Sequence, residues 1–194
     1  MRRLMCLLAL SMLFGFTASA QDKADAFLGY SYVRQTYGNG INSFNLNGGV
    51  GQIAAYPTSW FGLVGEVGVY TPGTVTVTSG STTSTFNPGG EDISYLFGPR
   101  ISFRHGPLQP YVQGLFGGYY TSAGLQAILR STSGAASANS FAMALGGGLD
   151  LKLSHHFAIR LAQVDYFLTR LPNPAAVSFT QNNFRYSGGI VYRF

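Results

Sequence analysis

The last twelve residues of the chain alternate strictly between two kinds of side chain. One face carries aromatic and apolar residues with a single glycine: Phe184, Tyr186, Gly188, Ile190, Tyr192 and Phe194. The other face is largely polar or small: Asn183, Arg185, Ser187, Gly189, Val191 and Arg193. Because successive side chains of a strand point to opposite faces, this period predicts a β-strand that lies between two different surroundings.

The same two-residue period recurs through most of the chain. It predicts eight strands, at about 25–34, 43–56, 60–71, 91–104, 110–121, 140–153, 157–169 and 182–194. Glycine recurs inside nearly every stretch that could otherwise be helical, and each such glycine disfavours a helix by about 1 kcal/mol. Strands this long exceed the usual 5–6 residues of globular sheets, but they match tilted strands that cross a bilayer.

The predicted connections alternate between short and long along the chain. The short ones are at 57–59, 105–107 and 154–156, and the longer ones are near 35–42, 72–90, 122–139 and 170–181. Short turns at one end and longer loops at the other are typical of outer-membrane barrels. We therefore expect an all-β fold, an eight-stranded antiparallel up-and-down transmembrane β-barrel.

The N-terminus has the pattern of a secretory signal peptide. Arg2 and Arg3 precede an apolar run at 4–16, which is followed by small residues at 17–20. The run is shorter than the roughly 20 apolar residues of a helical membrane span, and the small residues suit a cleavage site. We expect a signal peptide over the first twenty residues, a barrel domain over 21–194, and export to the cell outer membrane.

The charge of the chain argues against a nucleic-acid partner. Charged residues make up only 10% of the sequence, and the net charge of +5 falls to +3 once Arg2 and Arg3 are removed. A nucleic-acid-binding domain usually concentrates many more Lys and Arg residues on one face. Cleavage also removes Cys6, the only cysteine, so the exported fold is expected to be held without disulfides.

Most charges of the predicted strands lie on the face that would line the lumen: Glu66, Arg100, Arg104, Asp150, Lys152 and Arg185. Buried charges must be paired, so we expect a network that joins Glu66 and Asp150 to Arg100, Arg185 and their neighbours. Eight strands leave room only for side chains inside the barrel, which favours structural packing over an ion gate. A crowded lumen would also explain the 26 glycines, including the triplet at 146–148.

One predicted strand, 157–169, breaks the alternation. Arg160 has even parity, whereas Gln163 and Asp165 have odd parity, so the three cannot all face inward in a regular strand. Either a β-bulge near Ala162 restores the pattern, or one of these side chains lies at a polar edge of the barrel.

Several segments of the chain resemble the barrel domain of compact OmpA-type outer-membrane proteins. They are the opening strand at 27–32, the segments 96–100, 110–112 and 146–150, and the final strand. The resemblance implies a barrel that is surrounded by outer-membrane lipid. The sequence lacks the peptidoglycan-binding domain of full-length members, so we expect no wall-tethering role.

The end of the final strand resembles an assembly signal. In the outer-membrane family, a terminal aromatic residue on an alternating strand is the feature that the barrel-assembly machinery recognises. Ile190, Tyr192 and Phe194 fit that pattern here. The resemblance therefore implies the barrel-assembly machinery as a partner during biogenesis.

The sequence offers no convincing catalytic, cofactor-binding or metal-binding set. His105, His155 and His156 fall in predicted tight turns, without the converging ligands of a metal site or the oriented base of a nucleophile. Barrels that resemble lipid A palmitoyltransferases and deacylases place Ser and His toward the outer leaflet, but the predicted outer loops contain no His. We expect no enzyme activity and no cofactor.

The sequence thus favours a small, monomeric, non-enzymatic integral outer-membrane protein with a structural or surface-interaction role. Its loops near 72–90 and 122–139 are the best candidates to bind a surface ligand. Three alternatives remain: a narrow, porin-like channel, a lipid A-modifying enzyme, and a soluble lipocalin-like exported barrel. The last predicts a polar outer face and an apolar interior, the reverse of the final strand.

Overall fold

A computed structural model describes residues 24–35, 44–79, 82–86, 89–122, 138–171 and 179–194. These residues form ten strands: β1 (Ala24–Gln35), β2 (Phe44–Ala55), β3 (Phe61–Pro72), β4 (Val75–Ser79), β5 (Thr82–Phe86), β6 (Asp92–Ser102), β7 (Leu108–Thr121), β8 (Ala138–Lys152), β9 (Phe157–Leu171) and β10 (Phe179–Arg193). Among them, no helix has the length and apolar character needed to cross a membrane. The predicted signal peptide lies outside the described residues.

Eight of these strands close into a barrel. Their order is β1-β10-β9-β8-β7-β6-β3-β2, each strand runs antiparallel to its neighbours, and the pairing of β1 with β2 completes the circle. Closure leaves no free strand edge, so the backbone groups of the wall pair with one another. The predicted fold class is confirmed, and the eight barrel strands lie within three residues of their predicted bounds.

The two ends of the barrel differ. Tight turns at 56–60, 103–107 and 153–156 share one end with the start of β1 and with Phe194, and we call this the turn end. The longer connections share the other, the loop end. The alternation of short and long connections is therefore confirmed, although 36–43, 123–137 and 172–178 lie outside the described residues.

The long connection near 72–90 is not a plain loop as the sequence suggested. Strands β4 and β5 pair within it as a two-stranded hairpin, with Thr76 opposite Thr85. The Thr, Ser and Gly content there indicated a solvated loop, but Thr and Val also favour extended backbone. The hairpin explains why β3 pairs with β6 rather than with the next strand in the chain.

A β-bulge in β9 resolves the broken alternation. Leu149 of β8 faces Ala162, while the next residue, Asp150, faces Arg160, so Leu161 is the extra residue. The pairing of β9 with β10 shifts at the same place. Of the two alternatives, the bulge is confirmed, and Arg160, Gln163 and Asp165 are all buried inside the barrel.

The barrel carries its apolar side chains outside and its polar ones inside. Leu28 is 74% exposed and Ile190 60% exposed on the outer face, while the buried polar residues line the lumen. Glycine makes room in that lumen, because a Cβ on Gly148 would lie 2.5 Å from the Tyr111 hydroxyl. The triplet at 146–148 is not wholly lumenal, however, since the alternation of β8 turns Gly147 outward.

Candidate functional site

A cluster of ion pairs spans the lumen near the middle of the barrel. Arg185 of β10 contacts Glu66 of β3 through both Nη atoms, and its Nη2 lies 2.7 Å from Oδ2 of Asp165 on β9. Glu66 and Arg185 lie three strands apart around the barrel, so their contact crosses the interior. Two carboxylates around one guanidinium satisfy much of its donor capacity.

Three glutamines link this cluster to the rest of the lumen. Gln52 donates through Nε2 to Oε2 of Glu66 at 2.6 Å and to Oε1 of Gln163 at 3.2 Å. Gln163 in turn donates to Asp165 at 2.7 Å, and Gln113 donates to the same carboxylate at 3.2 Å. Because an amide both donates and accepts, it can bridge a cation and an anion that do not touch.

Two further arginines lie beneath the glutamines, toward the turn end. Arg160 pairs with Asp150 at 2.8 Å and donates to Oε1 of Gln52 at 2.6 Å. Arg100 donates to Oε1 of Gln113 at 2.6 Å and also to Gln52. Both guanidinium groups lie over the ring of Tyr111, at 4.6 Å and 4.3 Å from its centroid, a cation–π geometry that supports desolvated cations.

The polar lining continues to both ends of the barrel. At the turn end, Arg104 pairs with Asp25 at 2.9 Å and lies 4.2 Å from the ring centroid of Tyr56. At the loop end, the Asp92 carboxylate accepts hydrogen bonds from the Tyr119 hydroxyl at 2.9 Å and from the backbone N–H of Ser122 at 3.1 Å.

The structure brings together some of the predicted network residues and separates others. Glu66 and Arg185 meet as expected from the sequence, but Asp150 pairs with Arg160 rather than with Arg100 or Arg185. Arg104 lies apart from the central cluster, at the turn end. Within the described ranges, no hydrogen bond or ion pair joins the side chain of Lys152 to this cluster, so its predicted place in the network stays a prediction.

Sequence reasoning missed the bridging role of glutamine and the central place of Asp165 and Arg160. The alternation of side chains places Gln52 and Gln113 on the inward face, but nothing in the sequence predicts that an uncharged amide bonds across the lumen. For Arg160, Gln163 and Asp165, the sequence left open whether a bulge or a polar edge explains the broken alternation, so it did not establish that all three side chains face inward.

The central network fills the lumen rather than lining an open pore. Arg100 is 1% exposed and Arg185 0% exposed, whereas charged side chains around a water-filled channel would be hydrated. Three arginines and three carboxylates balance there: Arg100, Arg160, Arg185, Glu66, Asp150 and Asp165. Such balance suits a low-dielectric interior, where an unpaired charge is costly.

The residues of the predicted assembly signal lie together on the outer face at the turn end. Ile190 is exposed, and the rings of Tyr192 and Phe194 meet edge to face with centroids 4.9 Å apart. His156 stacks on Tyr192 at 6.0 Å. His105 and His155 are exposed in their turns.

No protein-family model matches the chain, and no curated protein matches it either. Solved structures do match. Neisserial surface protein A superposes with a TM-score of 0.62 at 11% identity, covering 88% of this chain and 97% of its own. The N-terminal β-barrel domain of OprF from Pseudomonas aeruginosa gives 0.55 at 13% identity, covering 89% and 98%.

A third match is an outer-membrane protein. The outer membrane protein OprG from Pseudomonas aeruginosa gives a TM-score of 0.54 at 15% identity, covering 89% of this chain and 96% of its own. Likeness at such low identity concerns the backbone alone. The chain has the fold of these small barrels.

Proposed function

We propose that this chain is an integral protein of the bacterial outer membrane, exported by its N-terminal signal peptide and related to the OmpA-type barrels. The observation that carries the proposal is the inverted barrel: large apolar side chains cover the outer face while buried ions fill the interior. In water, an apolar surface of this extent would drive aggregation, whereas lipid tails solvate it. A soluble lipocalin-like barrel would show the opposite arrangement.

We further propose that the barrel is a closed, non-conducting anchor. Bonds from β2 to β6 and β9, and from β3 to β10, cross the lumen. A permeant ion would have to break several charge-assisted hydrogen bonds at once, each of which is worth about 1.5–3 kcal/mol. Planar-bilayer recordings should therefore show no discrete channels, and steady ohmic conductance would support the porin-like alternative.

A closed anchor of this kind can still act through its loop end, which would be exposed at the cell surface for contact with other molecules. The β4–β5 hairpin supports this interpretation, because it holds part of the longest connection in a defined conformation. We propose a structural or surface-interaction role without enzyme activity, as a monomer that the barrel-assembly machinery inserts. Deleting residues 75–86 should lower adhesion or phage sensitivity without lowering the amount of barrel in the membrane.

Membrane fractionation tests the proposal as a whole. The full chain, expressed with its leader, should be found in the outer-membrane fraction, and unheated samples should migrate differently from boiled samples in SDS gels. Recovery as a soluble periplasmic protein would refute the membrane assignment. Altered acylation of lipid A, measured by mass spectrometry in expressing cells, would refute the non-enzymatic role.

A further inference from the structure

A trough runs along the outer face of β2. Its floor is bare backbone at Gly49 and Gly51 of β2 and at Gly65 of β3, and we call it the β2 trough. The part that lies over Gly51 and Gly65 has a volume of about 710 Å³. Its walls are apolar and outward-facing: Ile53, Val67, Tyr95, Phe97 and Phe116.

The trough is open where comparable places on the barrel are filled. A Cβ on Gly65 would meet no atom within 4 Å, and one on Gly51 would meet only a backbone oxygen at 3.9 Å. Elsewhere on the outer face, the Tyr95 ring lies over Gly118, and Cδ2 of Leu145 would lie 3.2 Å from a Cβ on Gly114. Neighbouring side chains therefore cover Gly118 and Gly114, whereas no side chain lies over Gly51 or Gly65.

Beyond the cavity, toward the loop end, the outer face of β2 becomes polar. Asn47 accepts a hydrogen bond from the Tyr30 hydroxyl at 2.6 Å, and the Thr71 hydroxyl donates to its backbone oxygen at 3.2 Å. Asn45 follows on the same face of β2, and the exposed Arg34 of β1 lies directly opposite it in register. A cation, amides and a hydroxyl thus lie on the same outer face, on the loop-end side of the apolar cavity.

This arrangement matches an amphiphile with an anionic headgroup better than it matches a second copy of the chain. A two-fold partner in the same membrane would bring two copies of Arg34 to the same height, where like charges repel. A concave trough is also not complementary to itself, so two copies would leave a void between them. A lipid chain is flexible and can fill the trough, and its phosphate would neutralise Arg34.

We propose that the β2 trough binds one acyl chain of a phosphorylated glycolipid of the outer leaflet, with Arg34 on the phosphate and Asn45 and Asn47 beside the sugar. This inference rests on the proposed outer-membrane location. The loop end, where the polar groups lie, is the end that faces the outer leaflet in that proposal. The amide side chains suit sugar hydroxyls, because an amide can donate and accept.

Native mass spectrometry of the full barrel released from nanodiscs tests the proposal. The discs contain phosphatidylcholine with a small equal fraction of lipid A and phosphatidylglycerol. The wild type should retain one lipid A in preference to phosphatidylglycerol. Arg34→Gln should lower that retention about tenfold, the loss expected for one charge-assisted hydrogen bond. Arg170→Gln is the matched control, since Arg170 is also exposed near the loop end, but on β9.

A second pair of variants tests the trough itself. Gly65→Leu fills open space and should abolish retention, while Val112→Leu enlarges an exposed side chain on β7 and should leave it unchanged. Three results would each overturn the proposal. The first is equal lipid A retention by Arg34→Gln and Arg170→Gln, and the second is equal retention of lipid A and phosphatidylglycerol by the wild type. The third is a wild-type protein dimer in the mass spectrum that Gly65→Leu converts to a monomer. A wild type that enters nanodiscs but retains no lipid A refutes this inference alone, whereas one that does not enter membranes refutes the proposed function.

Discussion

Removing one charge from the centre of the lumen should destabilise the barrel without opening it. In Glu66→Gln the shape of the side chain is kept, but Arg185 loses one of its two carboxylates. Breaking a buried ion pair by removing one partner costs about 3–5 kcal/mol. Arg185 keeps Asp165 at 2.7 Å and 3.0 Å, so we expect a loss near the lower limit, about 3 kcal/mol.

Urea unfolding in detergent micelles measures this loss. Trp60 is the only tryptophan and is 54% exposed on the β2–β3 turn, so its fluorescence reports the transfer of that turn from detergent to water. With an m-value of about 2 kcal/mol per molar urea, the midpoint should fall by about 1.5 M. The control is Glu91→Gln, which removes an exposed carboxylate next to β6.

Two results would refute the reasoning. The first is a Glu66→Gln midpoint equal to that of the Glu91 control, which would mean that the buried pair adds no stability over a neutral amide. The second is ion conductance that appears in Glu66→Gln without loss of stability, which would identify a gate. The double variant with Asp165→Asn should lose more than the sum of the single losses, since Arg185 then has neither carboxylate.

Three further outcomes are expected. Deleting Ala162 removes the extra residue and leaves Arg160 and Gln163 both facing inward in a regular strand, so the heat-shifted folded band should persist. Deleting both Leu161 and Ala162 makes Arg160 and Gln163 adjacent and turns one of them toward the outer face, where an arginine costs up to about 4 kcal/mol in lipid, so the band should vanish; the opposite result would contradict the assigned bulge. Arg160→Met leaves Asp150 without its cation and should lower the urea midpoint about twice as far as Arg100→Met, which leaves only neutral amides; the reverse order would contradict the assigned contacts. Phe194→Ala should reduce the amount of barrel in the outer membrane several-fold while the refolded protein keeps its midpoint, and equal amounts would contradict an assembly signal.

The wall of the barrel was predictable because its period is local. The outward positions of Phe184 and Ile190 follow from the two-residue alternation alone, and even the bulge could be named from the parity of Arg160 against Gln163. An apolar outer face and a packed polar interior impose a pattern that each strand shows by itself.

The lumen contacts were less predictable because they join strands that are distant in sequence and not adjacent in the wall. Parity places Glu66 inside, but the choice of Arg185 as its partner depends on strand tilt and register stagger around the closed barrel. The same geometry pairs Asp150 with Arg160 on the adjacent strand. Arg100 then has only the amide oxygens of Gln52 and Gln113 as acceptors. The hairpin of β4 and β5 was not predicted, because a solvated Thr-rich loop and a solvated Thr-rich strand have the same composition.

The contact between β3 and β10 bears on the order in which the barrel forms. Glu66 and Arg185 are separated by 119 positions in the chain, and they can meet only after the last strand has reached the first. Until then, a partly inserted sheet would carry uncompensated ions on the face that becomes the lumen, and that face would stay hydrated. Pairing of β1 with β10 therefore expels water from the lumen and neutralises its charges in the same step, which makes closure cooperative and disfavours a half-open barrel.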